Sequence, residues 1–287
     1  ARLVKGAGIA KLGDNASKLV NENFDKAAIA AATTGSALYA YPLTADNGYF
    51  MYYDKSVIKE EDLGSLEKLI AACEAAGKNF SMETDTSAWY IASFFFATGC
   101  VSEWTADDDG NFVQVHDTFN SAEGLIAAKG LYKLQTSKNH VSSSAVSDFS
   151  ANPASAIVVS GTWAYNDVQK ILGDNMGAAE LPSFTVDGKT YHMGSFNGCK
   201  LLGVKPQTDA KKSAVLNQLA QYLTDYEHEL ERFNALGWGP ANLEAQKQDA
   251  VKSNAAQVAI NAQNQFSTVQ GQIHGSWWDI AKVIADD

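Results

Sequence analysis

Short apolar runs alternate with helical patterns along this chain, and this alternation constrains the fold more than any other feature. Residues 37–43 (ALYAYPL) and 49–53 (YFMYY) are rich in aromatic side chains, which favour strands. Residues 156–159 (AIVV) form an all-apolar run that is typical of a strand covered on both faces. Residues 78–83 predict a further short strand. Strands that alternate with helices in this way predict an α/β fold with mostly parallel sheets.

The helices are indicated by capping residues at their ends. Ser65 can cap a helix whose apolar residues recur at helical spacing, and Gly77 can end it in the left-handed conformation. Residues 224–227 (TDYE) match a capping box, which predicts a second helix from Thr224 to Gly237. Residues 253–266 predict a further amphipathic helix.

Two Asp-Gly sequences indicate tight hairpin turns. One lies in residues 107–111 (DDDGN) and the other is Asp187-Gly188. The first superficially resembles a calcium-binding loop, but the alternating ligands and distal Glu of an EF-hand are missing. A turn is therefore the better interpretation.

Length and charge limit the ligand classes. A chain of 287 residues with 46% hydrophobic residues can bury a large core and predicts two lobes. Its longest apolar runs are shorter than the ~18 residues that span a membrane. With 22 basic and 33 acidic residues the net charge is −11, and no basic run is present. Nucleic acid and anionic membranes are thus poor partners, and a neutral ligand fits best.

No motif for catalysis, a metal or a cofactor is present in the sequence. Cys73, Cys100 and Cys199 lack the spacing of a zinc site and are expected to be small buried residues. The five histidines show no metal-binding spacing. The segment 158–162 (VVSGT) is not the GxSxG elbow of a hydrolase, and neither a P-loop nor a dinucleotide fingerprint occurs. We therefore expect no cofactor.

Three aromatic clusters stand beside polar or small residues. They are Trp89-Tyr90, Trp163 with Tyr165, and Trp277-Trp278. Flat indole rings pack on the C–H faces of a sugar ring, while carboxylates and amides bind its hydroxyl groups. Trp163 follows the 156–159 strand, and α/β sheets bind ligands at the carboxyl ends of their strands. Taken singly, each Trp is slightly better interpreted as a core residue, but the three clusters together favour a sugar site.

Other candidates are more ambiguous. Asp46-Asn47 interrupts two strands; its spacing favours an ordinary turn, while a carboxylate that binds sugar hydroxyls at a crossing between lobes is the alternative. Trp104 and Trp238 are interpreted as core residues.

Four segments together resemble the maltose/maltodextrin-binding proteins of ABC importers, particularly the Gram-positive type. The most specific is residues 39–55 (YAYPLTADNGYFMYYDK). Residues 86–90 (TSAWY), followed by residues 97–99 (ATG), are similar to the ligand-stacking segment of that family. Residues 160–165 (SGTWAY) resemble its G-x-W motif, and Trp277-Trp278 resembles its late aromatic pair. The likeness runs in the same order over nearly the whole chain.

The resemblance implies a two-lobed, periplasmic-binding-protein-like fold of type II with a hinge. Lobe one would comprise residues 1–43 and 200–250, and lobe two residues 47–195 and 255–287. Asp46 would contact the sugar, and Trp89 and Trp163 would be aromatic platforms, with Glu83 or Asp85 compensating for a carboxylate that many relatives carry just before Trp89. The full expected ligand set is Asp46, Asn47, Trp89, Tyr90, Trp163, Tyr165, Trp277 and Trp278, with Glu83 and Asp85 as additional candidates.

The same resemblance implies a function without catalysis. The protein would bind maltooligosaccharides in an interlobe cleft as a monomer and deliver them to the permease subunits of an ABC importer. It would act outside the cytoplasm, as a lipoprotein of a Gram-positive surface or in a periplasm. Compared with the family, the chain is expected to start after the first strand–helix units of lobe one and to stop before the last helix is finished.

Two alternatives remain open at this point. A glycoside hydrolase also stacks sugars on aromatic rings and uses two carboxylates, for which Asp46, Glu83, Asp85 and Glu103 are available. A binding protein of the same fold could instead take another neutral glycan or a polyol.

Overall fold

The computed structural model describes residues 2–85, 87–107, 112–281 and 284. The chain forms two compact units. Unit 1 comprises Ala1–Asn47 and Gly198–Gln257, and unit 2 comprises Gly48–Asn197 and Val258–Asp287. Thr86 of the predicted stacking segment, residues 108–111 of the first predicted turn and residues 285–287 lie outside the described residues.

A five-stranded sheet forms the centre of unit 2. Its strands are β1 (Phe50–Asp54), β2 (Asn79–Ser81), β3 (His140–Val141), β4 (Ser155–Ser160) and β5 (Met176–Ala179). They are arranged in the order β5-β1-β4-β2-β3. β2 pairs in parallel with β3 and β4, whereas β1 is antiparallel to both of its neighbours. Four of the five strands therefore run in one direction and β1 alone is reversed.

The expectation of mostly parallel sheets thus describes the five-stranded sheet but needs correction elsewhere. The smaller sheets of unit 2 include two antiparallel hairpins, Ser102–Ala106 with Phe112–Asp117 and Ser183–Val186 with Lys189–His192. A third small sheet pairs Ser195–Asn197 in parallel with Ser267–Val269. The hairpins are antiparallel because each turn is too short for a parallel crossover.

Helices surround the sheet of unit 2. They are Leu66–Ala76, Ala88–Ala97, Ala122–Gln135, Tyr165–Leu172 and Trp277–Ala281. Short 3₁₀ turns connect these elements at Glu60–Asp62, Val146–Ser150, Thr162–Ala164, Gly173–Asn175, Asn264–Phe266 and Gln270–Gln272. The core contains apolar residues of β1 and β4 and the Phe-rich helix Ala88–Ala97, including the fully buried Phe94.

Unit 1 is mainly helical around two small antiparallel sheets. One sheet pairs Thr33–Thr34 with Ala37–Leu38, and the other pairs Tyr41–Thr44 with Lys200–Leu202. Its helices are Arg2–Lys5, Asp14–Asn23, Lys26–Ala32, Ala210–Leu223, Tyr226–Leu236, Leu243–Gln246 and Asp249–Lys252. The helix Ala255–Gln263 begins in unit 1 and ends in unit 2. Val20, Phe24, Tyr41 and Val204 lie in the core of unit 1.

Most of the predicted helix ends are confirmed. The Ser65 hydroxyl accepts a hydrogen bond from the N–H of Lys68, and Gly77 ends the helix with a φ of 62°. The second helix, Tyr226–Leu236, ends at Gly237 as expected, but its cap is Asp225 and not Thr224. The Asp225 carboxylate accepts from the N–H of His228, while Thr224 belongs to the end of the preceding helix and bonds back to Ala220.

The hairpin predictions are also confirmed where the structure describes them. Asp187 and Gly188 connect two paired strands with φ values of 51° and 77°. The strands on either side of residues 108–111 pair as a hairpin. No helix within the described ranges is long and apolar enough to cross a bilayer.

The cysteines are only partly as expected. Cys73 and Cys100 are buried in the core of unit 2, as predicted. Cys199 is half-buried in unit 1. Burial raises the pKa of its thiol to about 12, and the nearby carboxylates of Asp25, Asp46 and Glu229 add to the effect. This thiol therefore stays protonated and unreactive at neutral pH.

Candidate functional site

The carboxyl ends of β2, β3 and β4 meet at one edge of the unit 2 sheet. Residues 82–85 follow β2, residues 142–144 follow β3, and residues 161–165 follow β4. β1 enters the sheet from the same edge, because its first residue pairs with the last residue of β4. Ligands of α/β sheets bind outside such an edge. We call it the carboxyl edge.

Trp163 lies at this edge on a glycine-dependent turn. It belongs to the 3₁₀ turn Thr162–Ala164, and 40% of its surface is exposed. A Cβ placed on Gly161 would lie 2.1 Å from Cζ3 of the Trp163 indole, so the ring lies across the glycine backbone. The carbonyl of Gly161 accepts a hydrogen bond of 3.0 Å from the Tyr52 hydroxyl, which fixes the turn to β1. Tyr165 begins the next helix and is half-buried.

A polar hollow of about 380 Å³ lies beside the ends of β2 and β3. It is lined by Glu83, Asp85 and residues 142–145. The Ser142 hydroxyl accepts the backbone N–H groups of Thr84 and Asp85, both at 3.0 Å. The Ser144 hydroxyl donates to Oε2 of Glu83 at 3.0 Å. The structure thus brings the two predicted carboxylates together with three serine side chains, which sequence reasoning missed.

Tyr90 lies next to the polar hollow but is buried. Burial raises the pKa of its hydroxyl to about 12; the hydrogen bond with Ser144 opposes this and the Glu83 charge adds to it. Tyr90 is therefore a neutral hydroxyl group at physiological pH. It can exchange hydrogen bonds with a polar ligand only through its phenol oxygen.

Trp89 and Trp278 meet in an aromatic cluster around Phe196. Trp89 stacks on Phe196 with ring centroids 5.0 Å apart, and Trp278 lies 5.0 Å from Phe196 and 6.2 Å from Trp89. Tyr49 closes the cluster, since its ring lies 5.5 Å from Trp89 and its hydroxyl donates to the Trp89 carbonyl at 2.7 Å. Both tryptophans are half-buried. They retain exposed surface while their orientation is fixed by packing.

Trp277 differs from its neighbour because it belongs to the core. Only 6% of its surface is exposed. Its ring packs edge-on against Phe119 at 5.4 Å and against Trp278 at 4.9 Å. Of the late aromatic pair, Trp278 is therefore the residue with surface to offer a ligand.

Asp46 and Asn47 lie in unit 1, and they do not form the turn that their spacing favours. The strands on either side pair with different partners, Tyr41–Thr44 with Lys200–Leu202 and Phe50–Asp54 with Ser155–Ser160. Residues 46–49 have no regular secondary structure, and the N–H of Asn47 donates to the carbonyl of Gly198 at 3.1 Å. Asp46 is 3% exposed, and its Oδ2 accepts a hydrogen bond from the N–H of Gly239.

Two tryptophans that the sequence assigned to the core are instead half-buried. Trp104 lies on the hairpin strand Ser102–Ala106, with its ring 5.8 Å from His274. Trp238 follows the helix end at Gly237, and the Lys200 ammonium group lies 4.9 Å from the centre of its ring. Flanking glycines and Pro240 were the sequence signal for a loop at Trp238, but they do not predict what the ring contacts.

The part of the chain that the structure describes contains no cluster of metal-binding side chains. Within residues 2–85, 87–107, 112–281 and 284, no group of three His, Cys, Asp or Glu side chains is arranged to hold a metal ion. The carboxyl edge instead presents the exposed Trp163 indole near hydroxyl and carboxylate groups.

Comparison with known proteins decides the class. Residues 1–259 match the sequence profile of bacterial extracellular solute-binding proteins. The chain belongs to this family. The solute-binding protein therefore acts outside the cytoplasm. Because solute-binding proteins are not enzymes, the comparison excludes the glycoside hydrolase alternative. No curated protein matches the chain.

Solved structures give the fold in more detail. A structure with acarbose is 27% identical and superposes with a TM-score of 0.83, covering 99% of this chain and 73% of the other. The maltodextrin-binding protein MalE1 from L. casei BL23, without ligand, is 23% identical with a TM-score of 0.82, covering 99% and 74%. The Thermus thermophilus maltotriose-binding protein, bound with maltotriose, is 19% identical with a TM-score of 0.78, covering 99% and 76%. The predicted two-lobed, periplasmic-binding-protein-like fold is confirmed.

Proposed function

We propose that this solute-binding protein binds maltooligosaccharides and delivers them to an ABC importer. The observation that carries the proposal is the exposed Trp163 indole at the carboxyl edge, where the polar hollow follows two further strands. A glucose unit has apolar C–H faces and a rim of hydroxyl groups, so it matches an indole beside carboxylate and serine oxygens. The ligands of the similar structures, acarbose and maltotriose, support an α-linked glucan.

Each predicted residue takes a role that follows from its surroundings. Trp163 is the proposed main stacking platform, and Trp89 with Trp278 forms a second aromatic surface. Glu83, Asp85 and Tyr90 would bind hydroxyl groups at the polar hollow, and Tyr165 would support Trp163 from the next helix. Trp277 would hold its neighbour in place from the core.

Asp46 and Asn47 of unit 1 are the remaining two residues that were predicted to bind the ligand. The Asn47 amide is half-buried and can both donate and accept hydrogen bonds. Asp46 also supports the chain through Gly239, so a contact with the sugar would be an additional role for this carboxylate.

The partners follow from the proposed transport role. We propose that the protein acts as a monomer and that the permease subunits of an ABC importer receive its ligand. It would be either held by a lipid anchor at a Gram-positive surface or free in a periplasm. Detergent-phase partitioning of the native protein from membrane fractions tests the anchor. Recovery only in the aqueous phase would contradict it.

The test of the ligand class is calorimetric titration with maltose, maltotriose, maltoheptaose and cellotriose. We expect binding of the α-linked sugars only, with micromolar dissociation constants, which correspond to about −8 kcal/mol. Cellotriose controls for linkage, and a polyol such as mannitol controls for hydroxyl groups without a sugar ring. Binding of cellotriose or mannitol without binding of the α-linked sugars would contradict the α-glucan and show that the ligand is another neutral compound.

A further inference from the structure

Residues 237–242 form a loop that is closely attached to the Asp46 segment of unit 1. The N–H of Gly239 donates to Oδ2 of Asp46, and the carbonyl of Gly239 accepts from the N–H of Ala45 at 3.1 Å. A Cβ on Gly239 would lie 2.8 Å from Cβ of Asp46 and 2.5 Å from Oε1 of Gln257. The loop can approach this closely only because residue 239 is glycine. Trp238 is thereby held one residue away from the Asp46 contact.

Lys200 approaches the same place from the neighbouring strand. The strand Lys200–Leu202 pairs with Tyr41–Thr44, and the N–H of Lys200 donates to the Thr44 hydroxyl at 3.4 Å. The Lys200 ammonium group lies 4.9 Å from the Trp238 ring centre, within the range of a cation–π contact. Three separate segments of unit 1 therefore place Asp46, Lys200 and Trp238 together.

The exposure of these residues differs from that of the core aromatics of unit 1. Phe24 and Tyr41 are buried, whereas Trp238, Lys200 and the adjacent Asn47 are all half-buried. An accessible indole, an ammonium group with three N–H donors and an amide are complementary to one face and the rim of a sugar ring. The cation also fixes the orientation of the indole, which lowers the entropy lost when a ring stacks on it.

We propose that Trp238 and Lys200 form a glycan-binding subsite in unit 1, in which Trp238 stacks on a sugar ring and Lys200 donates hydrogen bonds to its hydroxyl groups. The subsite takes a neutral, hydroxyl-rich pyranose unit. This inference rests on the proposed function and extends it to residues for which the sequence predicted no role in binding.

The test compares W238F, W238L and K200M with the wild type by calorimetric titration with maltotriose and maltoheptaose. W238L keeps apolar bulk in the loop but removes the flat ring, so affinity for maltoheptaose should fall by about ten-fold. W238F keeps a flat ring and should stay within about three-fold of the wild type. K200M keeps the packing of the stem and should weaken binding by about three- to ten-fold.

Trp104→Leu is the matched control, because Trp104 is a half-buried indole on a hairpin of unit 2 outside the proposed site. It should leave affinity unchanged, and thermal unfolding of all variants reports any effect on folding. A wild type that binds while W238L and K200M bind equally well overturns the subsite alone. A wild type that binds none of the sugars overturns the proposed function, and the subsite with it.

Discussion

The Trp163 indole lies across the backbone of Gly161, so closely that a Cβ at residue 161 would come within 2.1 Å of the ring. Gly161 comes directly after Ser160, the last residue of β4. The close approach to this glycine therefore places the aromatic ring at the carboxyl edge. Gly161 has a φ of −117°, an ordinary extended value, so the glycine is required for space and not for backbone conformation.

Gly161→Ala should therefore displace the Trp163 ring with little change to the backbone. We expect the affinity for maltotriose to fall by about ten-fold, because the stacking surface moves. The measurement is calorimetric titration, with the fluorescence of the tryptophans as a second readout. Gly64→Ala is the control, since a Cβ there meets nothing within 4 Å. Equal affinities of the two variants would contradict the role of the close approach.

Trp163→Ala and Trp89→Ala should differ in their effect on stability. Both substitutions should weaken binding. Trp163 is 40% exposed and does not lie in the core, so its loss should leave the unfolding temperature nearly unchanged. Trp89 stacks on Phe196 and packs against Tyr49, so its loss should also destabilise unit 2, by about 2–4 kcal/mol. Titration and urea unfolding of both variants check this, and equal stabilities would be inconsistent with the aromatic cluster.

The adjacent residues Trp277 and Trp278 provide a second test in which the effect of a substitution on stability can be distinguished from its effect on sugar binding. Trp277→Ala removes a buried ring and should cost about 3–5 kcal/mol of unfolding free energy. Trp278→Ala removes a half-buried ring and should cost less while weakening sugar binding more. Urea unfolding measures the loss of stability, and calorimetric titration measures the loss of affinity. A larger loss of affinity in Trp277→Ala than in Trp278→Ala would show that Trp277 is the residue that contacts the ligand.

Local signals in the sequence were sufficient for much of the secondary structure. The apolar run of β4, the Ser65 cap, the end at Gly77 and the Asp187-Gly188 turn each depend on a few neighbouring residues, and each is confirmed. Pairing was not predictable in the same way. The reversed β1 lies between β4 and β5 because of contacts that are distant in sequence, and Asp46-Asn47 forms no turn for the same reason.

The candidate site shows the same division between local and long-range information. The sequence identified the aromatic clusters, but adjacent residues such as Trp277 and Trp278 face different directions on one helix, and only tertiary packing decides which one is buried. Trp238 was assigned to the core because no local pattern indicates that Lys200 lies against its ring. The serines of residues 142–144 gave no signal, since they follow a strand of only two residues.

Glu229 is a buried carboxyl group whose ionisation should affect stability. It is 1% exposed, and its Oε2 accepts the N–H of Asn242 at 2.8 Å, while Oε1 has no hydrogen-bond partner among the described residues. Burial raises its pKa to about 8; hydrogen bonds from the Asn242 and Ala241 N–H groups and the charge of Arg232 lower it, and Asp25 raises it. The group is therefore largely protonated in the folded protein at pH 7.

The sign of the pH effect follows from this raised pKa. The unfolded chain ionises Glu229 near pH 4.5, and the folded chain does so only near pH 8, so unfolding releases a proton between these values. The contribution of Glu229 to stability is present below pH 4.5 and is lost as the pH rises to about 8, by up to about 1.4 kcal/mol per pH unit. Glu229→Gln cannot ionise, so its stability relative to the wild type should rise between pH 5 and pH 8 and then level off. Urea unfolding across this range measures the difference, with the exposed Glu231→Gln on the same helix as control. Parallel profiles for Glu229→Gln and the wild type would show that Glu229 ionises normally.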